Sequence, residues 1–247
     1  MSESLQGYFS ATAPQSCTAY VPSRSPDPGV EAKLANRGET RDAPLGGFPK
    51  RAMDIAVAVV ALVVLSPLIA VTALLVRMTM GAPVIFAHRR IGCNGRPFRC
   101  YKFRTMVTDA EARLQRVLAA NPELAREWRE QCKLGDDPRI TPFGRILRKT
   151  SIDELPQLLN VLRGDMSCVG PRPVVDDELR RYGRRRAGYL AARPGITGLW
   201  QVSGRSRTVY SRRVALDWLY VRRWSLRLDL LILLRTIPAV LRVKDSA

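Results

Sequence analysis

The run Ile55-Ala56-Val57-Ala58-Val59-Val60-Ala61-Leu62-Val63-Val64-Leu65-Ser66-Pro67-Leu68-Ile69-Ala70-Val71-Thr72-Ala73-Leu74-Leu75-Val76 carries no charged side chain. A helix of this length matches a bilayer hydrocarbon core of about 30 Å. The ordinary alternative is a helix buried in a soluble core, but charge-free runs this long are rare in globular chains. Ser66-Pro67 lies at its middle, where proline deletes a backbone hydrogen bond and kinks the helix. Both flanks are basic: Lys50 and Arg51 before, then Arg77, Arg89, Arg90, Arg96 and Arg99 after. Positive residues stay on the cytoplasmic side. If both ends obey that rule, the segment enters and leaves by one face as a re-entrant, kinked helix. An ordinary kinked spanning helix is the alternative. Asp54 sits where it can pair with Lys50 or Arg51 and favour the helix dipole.

On the N-terminal side, residues 1–47 are rich in Ser, Pro, Gly and Ala without periodicity, and they read as a disordered tail. They lack the apolar core and cleavage site of a secretory signal. The 247-residue chain has a net charge of +18, so an anionic partner is expected: nucleic acid, an acidic leaflet or phosphorylated substrates. The five cysteines are scattered with no C-x-x-C pair, which argues against a disulfide framework or a structural zinc site. His88 is the single histidine and no nucleophile elbow accompanies it, so a Ser-His-Asp or Cys-His enzyme is unsupported. No P-loop and no G-x-G-x-x-G is present.

On the C-terminal side, Gly81-Ala82-Pro83 is a turn. Gly92-Cys93-Asn94-Gly95 separates two short strand candidates, the second running from Pro97 to Phe103. Lys102 and Arg104 alternate with apolar residues and would face one side of a half-buried strand, suited to an anion or simply solvated. Asp109 to Lys133 reads as an amphipathic helix interrupted at Asn121-Pro122, and Ile152 to Leu162 as another. The stretches 163–167 and 169–173 read as irregular loops, and Arg180 to Arg186 as a basic run. Near the end, Trp218, Tyr220 and Trp224 precede an apolar run, Leu228 to Leu241, broken by Arg235 and Pro238. Such a helix either lies in a membrane interface or packs on the domain's own core.

The chemistry concentrates at Asp153-Glu154, which follow Arg145-Ile146-Leu147-Arg148-Lys149-Thr150-Ser151-Ile152 and precede Pro156. One reading is a helix start, with Ser151 as N-cap and the two acids complementing the dipole. The other is a site. Adjacent carboxylates diverge on a regular helix but can converge on one ion at its start, where free N–H groups favour anions.

These segments together resemble the bacterial sugar transferases, the monotopic polyprenyl-phosphate phosphoglycosyl transferases. The likeness rests on Lys50-Arg51-x-x-Asp54, Ser66-Pro67, Gly92-x-x-Gly95-x-x-Phe98, Lys102 to Met106, Asp137 to Thr141, and the block from Arg145 to Pro173. The stretch Arg193 to Arg205 is similar to the exopolysaccharide-initiating branch, and the size to its compact undecaprenyl-phosphate galactose phosphotransferases. Differences are few: His88 stands where glutamine is usual, and Cys168 replaces an aliphatic residue.

The resemblance implies an α+β membrane-embedded monotopic enzyme. Residues 48–80 would form the re-entrant helix, and residues 81–247 a cytoplasmic catalytic domain with C-terminal interfacial helices at the bacterial inner membrane. It implies that Asp153 attacks the sugar-bearing phosphate of a UDP-sugar, expels UMP, and passes the phosphosugar to undecaprenyl phosphate. Galactose and glucose are the favoured sugars. Glu154 would act with Asp153 on Mg2+, and Lys102, Arg104, Arg145, Arg148 and Arg172 would contact phosphate. Nucleic acid is then not a partner. A homo-oligomer is compatible with the sequence but not specified by it. Two rivals stay open: a membrane-anchored basic binding protein, and a transferase using Glu154 as a base without a covalent intermediate.

Overall fold

A computed structural model describes residues 43–131, 134–204 and 210–241. The expected tail falls almost wholly outside the described residues, as do Lys133, Arg205 and Val243. The described residues group into two compact units, Thr108–Arg139 and the remainder. The smaller unit holds helices α2 (Ala110–Ala120) and α3 (Pro122–Gln131), separated at the expected Asn121-Pro122. Within it, Arg139 binds both oxygens of Asp137, at 2.7–3.1 Å, and stacks on Trp128.

The larger unit begins with α1 (Gly47–Met80), one helix of 34 residues that is long and apolar enough to cross a membrane. Pro67 lies inside it and leaves the Val63 carbonyl without its usual amide donor. Ser66 Oγ donates to that carbonyl at 2.8 Å, so the Ser-Pro pair breaks one bond and replaces it. Buried positions on α1 are Lys50, Asp54 and Ala58 near one end and Thr72 and Val76 near the other. Between them Val60, Val63 and Val64 are 62–68% exposed, which no soluble helix interior tolerates.

After α1, strand β1 (Ile85–Ile91) pairs antiparallel with β2 (Pro97–Phe103), and Asn94 takes a left-handed φ of 55° in the turn. Helix α4 (Pro142–Thr150) starts with a local signal: Thr141 Oγ1 caps it by accepting from the Gly144 amide at 2.9 Å, with Pro142 next. Gly144 is required, because a Cβ there would lie 2.0 Å from the Thr105 carbonyl oxygen.

Helix α5 (Gln157–Arg163) then leads to β3 (Ser167–Val169). Next come α6 (Asp176–Arg180), α7 (Arg186–Leu190), β4 (Gly195–Thr197) and α8 (Leu199–Val202). Strands β3 and β4 pair in parallel; β3 falls where two expected irregular loops meet, and β4 on a stretch to which the sequence assigns no element. Helices α9 (Tyr210–Arg222) and α10 (Leu226–Leu241) close the unit. The α+β mixture is therefore helix-rich, with two small two-stranded sheets among the described residues. Ala58 and Leu62 of α1 join Leu158, Val161, Met166, Tyr220 and Ile232 in the main core, and Val76 packs with Phe103 and Leu147.

The start of α1 is bonded differently from the sequence expectation. Asp54 pairs with neither Lys50 nor Arg51: its Oδ1 accepts from Ser167 Oγ and the Cys168 amide, both at 2.9 Å. Lys50 reaches across 179 positions to Asp229 at 2.7 Å, and Arg51 donates to the Val161 and Leu162 carbonyls at the end of α5. All three bind partners distant in the chain, because the buried face of α1 points into the core rather than along its own surface.

Candidate active site

Asp153 and Glu154 stand on neither end of a regular helix. Helix α4 stops at Ser151, whose φ of 59° is left-handed and whose side chain makes no cap bond. A 3-10 turn, Ile152–Glu154, carries the two acids, and α5 starts only after Pro156. Proline cannot donate inside the ladder, so the chain must turn before it continues. The tight turn corrects the Ser151 N-cap reading and holds Asp153 inward at 6% exposure, while Glu154 is half-buried.

Lys102, on β2, supplies the cation. Its Nζ lies 2.5 Å from Glu154 Oε1 and 3.9 Å from Asp153 Oδ2. Asn160 fixes the strand against α5: its amide donates to the Arg99 carbonyl at 2.8 Å and its Oδ1 accepts from the Tyr101 amide at 3.0 Å. That fully buried asparagine therefore sets where Lys102 meets the acids. Burial pushes Asp153 up to about 6, opposed by Lys102, reinforced by Glu154 and opposed again by Arg148. Burial also works against the charge on Lys102, but Glu154 and Asp153 outweigh it and hold its pKa above the ordinary value. Asp153 is thus a desolvated carboxylate, ionised at neutral pH, with its cation engaged mainly by its neighbour. That leaves an oxygen available for attack.

The other expected side chains separate into groups. Arg148 donates through Nε to Thr105 Oγ1 at 2.9 Å and is close enough to lower the pKa of Asp153. Arg145 lies three residues earlier on the same face of α4 and is exposed. Arg104 diverges from Lys102. It is buried and donates to the Ala82 and Gly81 carbonyls at 2.7 and 2.8 Å, and to that of Met80, clasping the end of α1. The strand ends at Phe103, so the expected alternation no longer governs Arg104.

Arg172 stacks on Trp200, its guanidinium 5.6 Å from the ring centre, and Arg213 approaches the same ring at 5.0 Å. Arg90 donates to the Pro173 carbonyl at 3.3 Å, beside Arg172, and burial and then Arg172 lower its pKa. The hairpin register places Lys102 opposite Phe86 and Arg90 opposite Phe98. Lys102 and Arg90 therefore share a face, about 13 Å apart along the strands. Cys100 between them is pushed up to about 11 by burial, with Lys102 and Arg90 both opposing. Sequence reasoning missed Arg90, Arg213 and Trp200. For Arg90, the period-two spacing to His88 and Phe86 was the available signal.

The model of the bacterial sugar transferase family matches residues 46–243. This chain belongs to that family. It is 52% identical over 203 residues to the exopolysaccharide production protein ExoY of Sinorhizobium fredii, covering 82% of this chain and 90% of that protein. It is 50% identical over 201 residues to the undecaprenyl-phosphate galactose phosphotransferase of Salmonella typhimurium, covering 81% of this chain and 42% of that protein. A UDP-glucose:undecaprenyl-phosphate glucose-1-phosphate transferase of Caulobacter vibrioides is 42% identical over 205 residues, covering 80% and 71%. The protein is a sugar transferase, and the family match spans the whole larger unit's described helices and strands.

Proposed function

We propose that this enzyme transfers galactose or glucose 1-phosphate from a UDP-sugar to undecaprenyl phosphate, releasing UMP and starting an exopolysaccharide repeat unit. The observation that carries the reading is Asp153, a buried carboxylate beside the 2.5 Å Lys102–Glu154 pair. In the first step an Asp153 oxygen bonds to the sugar-bearing phosphorus and the bond to the bridging oxygen breaks, which frees UMP. In the second step the lipid phosphate oxygen attacks the same phosphorus and Asp153 leaves as carboxylate. Splitting the transfer lets a soluble donor and a lipid acceptor use one site in turn. Lys102 and Arg148 offset charge on the reacting phosphate. The shared hairpin face from Lys102 to Arg90, continued by Arg172, suits the rest of the nucleotide.

Among the described residues no group of three or more acids, histidines or cysteines could hold a metal. Two carboxylates nevertheless fit Mg2+, which usually takes one or two plus substrate phosphates and water. Asp153 and Glu154 would hold it, and it would supply charge neutralisation at the diphosphate.

The re-entrant arrangement belongs to the same proposal. Both ends of α1 are held by the larger unit, through Arg51 on α5 and Arg104 on the carbonyls of Gly81 and Ala82. A bend at Ser66-Pro67 would return the chain to the cytoplasmic face of the inner membrane and keep the dyad at the lipid boundary. The test is purified enzyme with undecaprenyl phosphate and, separately, UDP-galactose, UDP-glucose or UDP-N-acetyl sugars. UMP and a lipid diphosphate hexose from one of the first two are expected. Release of intact UDP, or neither product with any donor, would overturn the assignment.

A further inference from the structure

Away from the dyad, an open groove of about 690 Å³ lies against α8, α9 and α10, room enough for one lipid acyl chain. Leu199 of α8, Leu219 of α9 and Leu231 of α10 line it, together with Arg223, Ser225 and Arg227. All three of those polar residues are exposed. Among the described residues neither guanidinium has a hydrogen bond or ion pair. The groove is therefore apolar along its length and cationic where α9 turns into α10.

Helix α10 is apolar on both sides. Its inward face places Ile232 in the core and Asp229 in a buried bond to Lys50, while Leu230, Leu231, Leu234 and Ile237 are 43–67% exposed on the opposite face. A soluble surface helix would be polar there, so the outward face requires an apolar medium. The inward face packs in the same cluster as Ala58 and Leu62 of α1, the helix whose exposed valines also call for a bilayer. The groove thus belongs to a surface continuous with membrane-seeking structure.

We propose that this groove binds one anionic phospholipid, one acyl chain along the leucines, the other left in the bilayer, and its phosphate between Arg223 and Arg227. Two cations near an anionic headgroup should favour it over a zwitterionic one by about thirtyfold. The site lies apart from Asp153 and does not depend on the reaction proposed above.

Native mass spectrometry of the full chain in neutral detergent tests this with phosphatidylglycerol, phosphatidylcholine, glycerol phosphate and undecaprenyl phosphate as probes. One tightly retained phosphatidylglycerol is expected, preferred about thirtyfold over phosphatidylcholine and lost on double substitution Arg223→Gln and Arg227→Gln. Raising NaCl from about 0.05 M to about 0.5 M should erase the preference in the unmodified protein, an arm that needs no variant. Equal retention of both phospholipids, or salt-insensitive retention, would overturn the headgroup contact. Glycerol phosphate competing as well as the intact lipid would overturn the groove. Undecaprenyl phosphate displacing the phospholipid through the same arginines at lower concentration would overturn the choice of occupant.

Discussion

Lys50–Asp229 and Lys102–Glu154 are both short lysine–carboxylate pairs, at 2.7 and 2.5 Å, but their surroundings differ. Lys50 Nζ uses all three donors, on Asp229 Oδ2, the Val169 carbonyl and Tyr220 Oη. Asp229 in turn accepts from Tyr220 Oη at 2.7 Å and Trp224 Nε1 at 2.9 Å. Nothing in that network is left to react, and both ions are sealed from water at 3% and 0% exposure. Lys102 and Glu154 are about one-third exposed, and their pairing leaves the buried Asp153 at 3.9 Å from its cation. A saturated buried pair fixes α1 to α10. An unsaturated one beside a desolvated acid can do chemistry.

Asp153→Asn should lower UMP release by at least about 10⁴-fold, since the amide cannot form the acyl phosphate. Residual turnover near the unmodified rate would place the nucleophile elsewhere. The same variant should melt higher. A carboxyl whose folded pKa is raised to about 6 keeps its proton better folded than unfolded, so stability falls as pH rises from about 4 through 6. Asparagine removes that loss, a gain of about 1–2 kcal/mol.

Lys50→Met should destabilise by about 3–5 kcal/mol, leaving Asp229 buried and unpaired. In a thermal melt that is a fall of roughly 10 °C. Lys102→Met should cost the fold less, about 1 kcal/mol, because Glu154 can turn to water and Asp153 can take up a proton, and should cut kcat/KM by about 10²-fold. If both lysines moved stability alike, the distinction drawn between the two pairs would fail.

The kcat/KM profile should rise about tenfold per pH unit up to an apparent pKa near 6, then flatten, because the carboxylate is the reactive form. A profile flat from pH 5 to 8 would contradict an Asp153 shifted by burial. The smallest effect is expected at Ser66→Ala, about 1–2 kcal/mol of lost stability as the Val63 carbonyl loses its donor. Differential scanning in detergent against reconstituted bilayers would read it, with the larger loss in lipid.

Much of the fold could be read before the structure, because periodicity and breakers are local. The charge-free run predicts α1, the strand Pro97–Phe103 has the expected bounds, and Asn121-Pro122 divides two helices where proline demands it. At the site, Lys102, Asp153 and Glu154 do come together. What stayed hidden depends on long-range geometry. Asp54 bonds to an amide 114 positions away, and Arg104 turns to backbone carbonyls that a sequence cannot display as acceptors. The parallel strands β3 and β4 are three residues each, too short for any alternation to register. Ser151 carries a left-handed φ that a serine's identity does not announce.

Intact-protein mass spectrometry on enzyme quenched with UDP-galactose alone, lipid withheld, bears most directly on the covalent step at Asp153. A hexose phosphate adduct that maps to Asp153 and disappears on adding undecaprenyl phosphate is the expected result. Lipid-linked product accumulating while the protein mass never changes would contradict it.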